Sequence, residues 1–264
     1  MRDIDPDDMH PDFLKAIEKL CGNSDYVRGH LPRYMHTLRH MPTPSQFKDE
    51  QTRVLEIGTS FIFPPILLDL FKYSKVDVTH FLPGDKRVEL QIPVPNDGRL
   101  LTAYNINLEE EALPVPDAQY DMVLFMEVIE HMERDPMHIM CEINRVLKDD
   151  GFIYITTPNS TSGRNVVKIL NGFAPHFFMQ YSKTKSLYRH NIEYDPRQVK
   201  AMLEAAGFRM LRFWTADNFE PKVPEILEKL ESWGYSTANR GDNILGIAQK
   251  VGPPKERFPR EIYF

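Results

Sequence analysis

Apolar residues change their period along this chain, and the changes mark out its parts. Phe13, Leu14, Ile17, Leu20 and Cys21 recur at helical spacing, as do Val27, Leu31, Tyr34, Met35 and Leu38. Pro32 falls inside the second run, so a helix there is expected to start near Leu31 rather than at Val27. Residues 1–50 therefore read as a polar helical extension, joined by the proline-rich 42-PTPSQF-47 to the main domain.

From residue 53 short apolar runs alternate with helical ones. Strands are predicted at 53–57, 76–81, 100–106, 121–126, 152–157, 209–214 and 244–251, the last two as an antiparallel pair. The segment 121-DMVLFM-126 is continuously apolar after its aspartate, as a strand covered on both faces is. Pro64 and Pro65 open a helix whose Ile66, Leu67, Leu70 and Phe71 share a face. Asp135 and Pro136 supply the N-cap and first position of a helix reaching about Leu147, with Glu142 and Arg145 paired on its outer side. Asp195 and Pro196 begin another, stopped by Gly207, and an amphipathic helix is expected near 224–233. This order predicts an α/β fold with a mostly parallel sheet and a ligand at the carboxyl ends of its strands.

Composition narrows the function classes. The chain has 264 residues, 42% hydrophobic and 27% charged, which suits a globular domain. A net charge of −6 without a long basic run disfavours nucleic-acid binding. No apolar stretch reaches the roughly 18 residues needed to span a bilayer. The first residues, MRDIDPDDMHPDF, hold no apolar signal core, and two cysteines, Cys21 and Cys141, suit a reducing cytoplasm with both thiols structural.

The stretch 54-VLEIGTSFIFPPILLDLF-71 carries the first chemistry. A dinucleotide needs G-x-G-x-x-G so that backbone can approach its pyrophosphate, and Phe61 and Phe63 would block that approach. No G-K-[ST] follows, which rules out a P-loop. A ligand with a sulfonium and an amino-acid end but no phosphate needs only the tight turn at Gly58, and Glu56 beside it can meet a positive charge. That favours S-adenosylmethionine.

Three spans, 107-NLEEEALPVPDAQYDMVLFMEVIEHM-132, 136-PMHIMCEINRVLKDDGFIYITTPN-159 and 189-RHNIEYDPRQVKAMLEAAGF-208, resemble class I S-adenosylmethionine-dependent methyltransferases. The likeness is to a bacterial branch with N-x-E, E-V-I-E-H, T-T-P-N and R-H-N-x-E-Y segments, and it covers residues 53–250. It implies a Rossmann-like seven-stranded sheet in the order 3-2-1-4-5-7-6 with helices on both faces. Residues 51–252 would form the methyltransferase domain, 160–194 a lid after strand five, and 253–264 a tail. Carried onto this sequence, the resemblance puts Glu56, Gly58, Thr59 and Ser60 at the methionine end of the cofactor. It puts Asn107, Leu108 and Glu109 around the adenine, and Glu127 to His131 near the sulfonium. Two positions depart from the family pattern. G-T-S stands for G-x-G, and His80 occupies the end of strand two where an acid often grips the ribose, with Asp85 as a substitute.

Methyl transfer to a hydroxyl gains from a base near neutral pKa. His131 is the first candidate, against the reading of a helix-start histidine bonded to backbone. His190 is the second, with Glu193 spaced to orient it and Tyr194 following; a hinge held by hydrogen bonds is the alternative. No metal is expected, because Glu127, Glu130 and His131 lack a second cluster at ligand spacing. From 160 to 192 no acidic residue occurs, while Arg164, Lys168, Lys183, Lys185 and Arg189 interleave with Phe173, Phe177, Phe178, Tyr181 and Tyr188. Lys183, Lys185, Tyr188, Arg189 and Tyr194 are the expected acceptor-binding residues. They suit an anionic small molecule or glycan: a sugar, a nucleotide-linked sugar or a phosphorylated metabolite. A solvated flap packing on the sheet is the plainer reading of the segment. The Arg-Gly-Asp at 240–242 reads as a turn. A protein that binds the nucleoside without catalysis, in a regulatory or scaffold role, is the alternative to an enzyme.

Overall fold

The computed structural model describes residues 10–21, 25–48, 51–82, 84–175, 189–219 and 221–264. Three helices come first: α1 (His10–Cys21), α2 (Asp25–Gly29) and α3 (Leu31–Arg39). As Pro32 requires, α3 starts at Leu31 with the proline in its first turn. Then follow β1 (Arg53–Ile57), α4 (Phe63–Asp69), β2 (Lys75–Thr79), β3 (Glu89–Pro93), β4 (Leu100–Tyr104) and β5 (Tyr120–Met126). The second half holds α5 (Pro136–Val146), β6 (Leu147–Pro158), α6 (Gly163–Leu170), α7 (Pro196–Ala205), β7 (Phe208–Ala216), α8 (Pro224–Ser232) and β8 (Asn243–Lys250). The expected caps form: Asp135 accepts from the His138 amide, and Asp195 from the amides of Arg197 and Gln198.

The strands make one eight-stranded sheet in the order β3-β4-β2-β1-β5-β6-β8-β7. The seven expected strands keep the expected order, and the count is corrected by β3, which adds antiparallel to β4 at the edge. β1, β2, β4, β5 and β6 run parallel, whereas β8 pairs antiparallel with both β6 and β7. β3 escapes the pattern because only Leu90 of 89-ELQIP-93 is buried and a proline ends it, as suits an edge.

Strand side chains alternate between two cores. Leu55, Val123, Phe125 and Ile153 face α5 and α7, while Val54, Met122, Leu124 and Tyr154 face α4, α1 and α3. The amino-terminal helices thus cover one face of the sheet. Phe13 stacks on Phe71 at 5.5 Å, and Tyr34 meets Phe63 edge-on at 5.5 Å. Ile17 is fully buried among them. Ile17→Val is therefore expected to lower stability by about 1 kcal/mol in a urea melt. A helix loosely tethered to the sheet would leave the midpoint where it was.

The last residues return to α5, where the Tyr263 hydroxyl donates to Asp135 Oδ1 at 2.5 Å and Arg257 pairs with the same carboxylate. Cys141 lies half-buried against the α5 core as a free thiol whose pKa is raised by burial. Within the expected lid, residues 163–170 form α6, while 176–188 lie outside the described residues.

Candidate functional site at the carboxyl ends of β1 and β5

β1 ends against a turn that a side chain could not occupy. Gly58 has φ +68°, and a Cβ there would stand 2.7 Å from Val128 Cγ2 in the loop after β5. Its amide donates to Thr79 Oγ1 at 2.8 Å, which ties the turn to the end of β2. Beneath it, Glu56 is 2% exposed. Its carboxylate accepts the Thr59 hydroxyl at 2.5 Å, the Ser60 hydroxyl at 3.2 Å and the Ser60 amide at 3.3 Å. Burial pushes Glu56 up to about 7, and these hydrogen bonds and the Arg33 charge oppose the rise without cancelling it. Phe61, also at positive φ, lies 6.1 Å from the His80 ring, whereas Phe63 is a core residue. Asp85 is bound to Arg87, which holds its carboxyl down at about 2.

The loop after β5 is the second wall. Glu127 takes a left-handed conformation, φ +55°, and its carboxylate accepts from Asn243 Nδ2 at 2.9 Å. A single 3-10 turn, Ile129–His131, follows. Glu130 is wholly buried. Its Oε2 accepts the Thr157 hydroxyl at 2.9 Å, while Oε1 has no hydrogen-bond partner among the described residues. Burial first, and the Glu127 charge second, raise the Glu130 carboxyl well above the usual range.

His131 and His190 meet here. Their rings lie 5.0 Å apart, close to perpendicular at 75°. His131 Nδ1 donates to the Arg189 carbonyl at 2.8 Å, and His190 Nδ1 lies 2.7 Å from Glu193 Oε1. Burial lowers the His131 pKa. Asn191 fastens the two segments, its amide donating to the Glu130 carbonyl and its side chain to the His131 carbonyl, both at 2.7 Å.

The expected adenosine residues follow β4. Leu108 packs against the α5 core. Glu109 Oε1 accepts the amides of Glu133 at 2.8 Å and Arg134 at 2.6 Å, and so braces the approach to α5. Asn107 Oδ1 accepts the Glu109 amide at 3.1 Å in a local turn. Of the expected acceptor residues, Arg189 lies 3.6 Å from the Glu133 carboxylate. Tyr194 is 1% exposed, with its ring in the core and its hydroxyl without a hydrogen-bond partner among the described residues. Lys183, Lys185 and Tyr188 lie outside the described residues.

Three contributors had been given no role at the site. Arg33 of α3, buried at 4% exposure, brings its charge to bear on both Glu56 and Glu130. Its only sequence signal is a charge inside an apolar helical run. Asn243 links Glu127 to the Thr157 carbonyl across β8 and β6. Asp242, in the expected turn at 240–242, accepts the Asn218 amide at 2.9 Å.

A separate cavity of about 580 Å³, lined by Gln51, Arg53, Asp117 and Lys148, opens at the amino end of the sheet. Lys148 there is bound to Asp121 at 3.0 Å. A parallel sheet presents its ligand-binding loops at the other end, so the turns around Gly58 and Glu127 are the site of interest. Among the described residues no helix is long and apolar enough to cross a membrane.

Comparison with known proteins bears on the family and the fold. The family model described as a methyltransferase domain matches residues 27–212, which extends ahead of the 53–250 covered by the sequence motifs. A chain in the complex between the Haloferax volcanii Trm112 methyltransferase activator and a methyltransferase shares the fold at a TM-score of 0.53. It is 17% identical, with 96% of this chain and 100% of that chain covered. A SAM-dependent methyltransferase from Archaeoglobus fulgidus gives the same TM-score of 0.53 at 17% identity, over 90% of this chain and 99% of its own. No curated protein matches.

Proposed function

The chain belongs to the methyltransferase-domain family, and from that premise we propose that it methylates an acceptor hydroxyl with S-adenosylmethionine as donor. When bound, that cofactor supplies a methyl group on a sulfonium sulfur, already activated for displacement. The observation that carries the reading is the turn at Gly58, bare of side chain and pressed against Val128, with a buried carboxylate, Glu56, directly beneath it.

The donor set suits such a ligand. Glu56, Thr59 and Ser60 offer a carboxylate and hydroxyls to an ammonium group, and Glu127 a second carboxylate near a sulfonium. Leu108 offers an apolar surface to a base, beside Asn107 and Glu109. No phosphate cradle is present in that loop. The Arg33 charge offsets part of the cost of burying Glu56 and Glu130.

On the acceptor side, His131 and His190 draw off the hydroxyl proton, with Glu193 fixing the orientation of His190. Tyr194, expected at the acceptor, is buried in the core and is left out of the acceptor-binding set. The acceptor is proposed to be anionic and of sugar type, since the sequence from 160 to 192 carries Arg164, Lys168, Lys183, Lys185 and Arg189 and no acid. Tyr188 would stack on its ring.

Glu56 makes cofactor affinity pH-dependent. Its pKa in the folded protein is about 7 against an ordinary 4.5. The protonated form is therefore favoured by folding, and this contribution to stability, full below the ordinary value, is lost as pH rises through 7. A cationic ligand prefers the ionised form, so affinity should rise by up to about ten-fold per pH unit below that value and level off above it. Calorimetric titrations from pH 5.5 to 8 would check this, with Glu56→Gln expected to flatten the curve.

The test of the reading is transfer of label from methyl-labelled S-adenosylmethionine to a panel of acceptors, with and without negative charge. Labelled product on anionic sugars supports the full reading. Tight cofactor binding without transfer to any acceptor would favour a regulatory nucleoside-binding role instead.

A further inference from the structure

We propose that Glu130, His131 and His190 form a binding site for a divalent first-row transition-metal cation. One ligand atom from each lies within 4.8 Å of the others. An ion bound at about 2.1 Å to each keeps its ligands within roughly 4.2 Å of one another, so a small inward shift of the side chains completes the set.

The surroundings are those of ligands rather than of an ordinary polar contact. His131 gives its Nδ1–H to a backbone carbonyl and His190 directs Nδ1 at a carboxylate, at 2.8 and 2.7 Å. With Nδ1 so committed, the neutral form of each ring has its lone pair on Nε2. Metal-ligating histidines are held in this way, one ring nitrogen to a carbonyl or carboxylate and the other to the ion.

The second, independent observation is Glu130 Oε1. It belongs to a side chain that is 1% exposed, lies 3.9 Å from His131 Nε2, and has no hydrogen-bond partner among the described residues. A buried carboxylate oxygen left in that state is costly, and a cation between it and the imidazoles removes the cost. Glu127, whose charge also acts on Glu130, adds to the negative potential there.

Two nitrogens and one oxygen suit manganese, cobalt or zinc better than magnesium or calcium, which favour all-oxygen sets. His131 keeps 30% of its side chain exposed and His190 13%, so an incoming group would approach from the His131 side. The assignment of that group rests on the methyltransferase reading. An acceptor hydroxyl reaching the cation would become more acidic. Its proton would pass to solvent, its oxygen would bond to the methyl carbon, and the carbon–sulfur bond would break with its electron pair left on sulfur. With the cation bound the histidines would act as its ligands; without it they keep the base role proposed above.

The experiment uses the full chain stripped with EDTA and titrated calorimetrically with manganese, cobalt and zinc chlorides. One saturable site per chain is expected, with a visible absorption band for bound cobalt. His190→Ala should lower metal affinity by at least about ten-fold and Glu130→Gln likewise, with circular dichroism confirming that each folds. S-adenosylhomocysteine affinity, measured on the same samples, should hold in His190→Ala. Absence of saturable binding at millimolar metal overturns the site, as does unchanged metal affinity in His190→Ala. If the stripped protein binds S-adenosylhomocysteine but no metal, the site alone fails; if it binds no S-adenosylhomocysteine, the methyltransferase reading fails with it.

Discussion

Replacing His190 with alanine is expected to slow methyl transfer by about 10²–10⁴-fold while affinity for S-adenosylmethionine stays within about two-fold. The imidazole stands 5.0 Å from His131 and is held by Glu193 at 2.7 Å, on a segment that reaches the β5 loop through Asn191. The proposed cofactor residues sit on the turns after β1 and β4, apart from Glu127 on the β5 loop. The side chain of His190 is largely buried, 13% exposed, so a thermal melt of the variant must show that it folds before its rate is compared. Glu193→Gln, which keeps the shape but weakens the hold on Nδ1, should fall between wild type and His190→Ala. Single-turnover rates at saturating cofactor, paired with calorimetry, separate the two effects. A variant that loses cofactor affinity and keeps its rate would move His190 out of the acceptor side.

Gly58→Val should weaken cofactor binding by about 100-fold or more. Two independent penalties act at this position. A left-handed conformation costs a branched residue roughly 1–2 kcal/mol, and a Cβ would lie 2.7 Å from Val128 Cγ2. The turns after β1 and β5 must then separate, which moves Glu56 and Glu127 relative to one another. Gly58→Ala combined with Val128→Ala relieves the collision but not the backbone strain, so it should recover part of the affinity. Thermal melts of each variant check that binding, and not folding, has been lost. Wild-type affinity in Gly58→Val would mean that the cofactor does not lie on this turn.

The parts of the fold that rest on local pattern were legible before the structure. Most of the seven strands stood out because they bury an apolar run between helices, and 121-DMVLFM-126 is buried along its whole length; β7 buries only Phe208 and was legible from its apolar composition. The caps at Asp135 and Asp195 were legible because an N-cap before proline is a local signal. β3 and α6 were not. β3 buries one side chain well, and α6 sits in a stretch whose basic residues suggested substrate contact rather than a helix capped by Ser162. The amino-terminal helices looked like an appendage, yet Phe13, Ile17 and Leu38 prove to be core residues of the sheet's second face.

At the site, Gly58 could be singled out because a tight turn after a buried strand has few other residues available to it. For His131 the backbone-bonded reading is what the structure displays, Nδ1 bonding the Arg189 carbonyl; Nε2 lies 3.9 Å from Glu130, and the base role is a proposal for the rate measurements. The meeting of His131 with His190 depends on how the chain returns after α6, which no periodicity encodes. Arg33 and Asn243 were invisible for the same reason, since each reaches the carboxylates from a distant element. The unpaired oxygen of Glu130 became apparent only once burial was known.

The most direct test of the account is the crystal structure of the chain with S-adenosylhomocysteine. The sulfur is predicted between the Gly58 turn and Glu127, with the amino-acid end toward Glu56 and the base toward Leu108. Ligand bound instead in the amino-end cavity beside Arg53 and Lys148, or no bound ligand at saturating concentration, would contradict it.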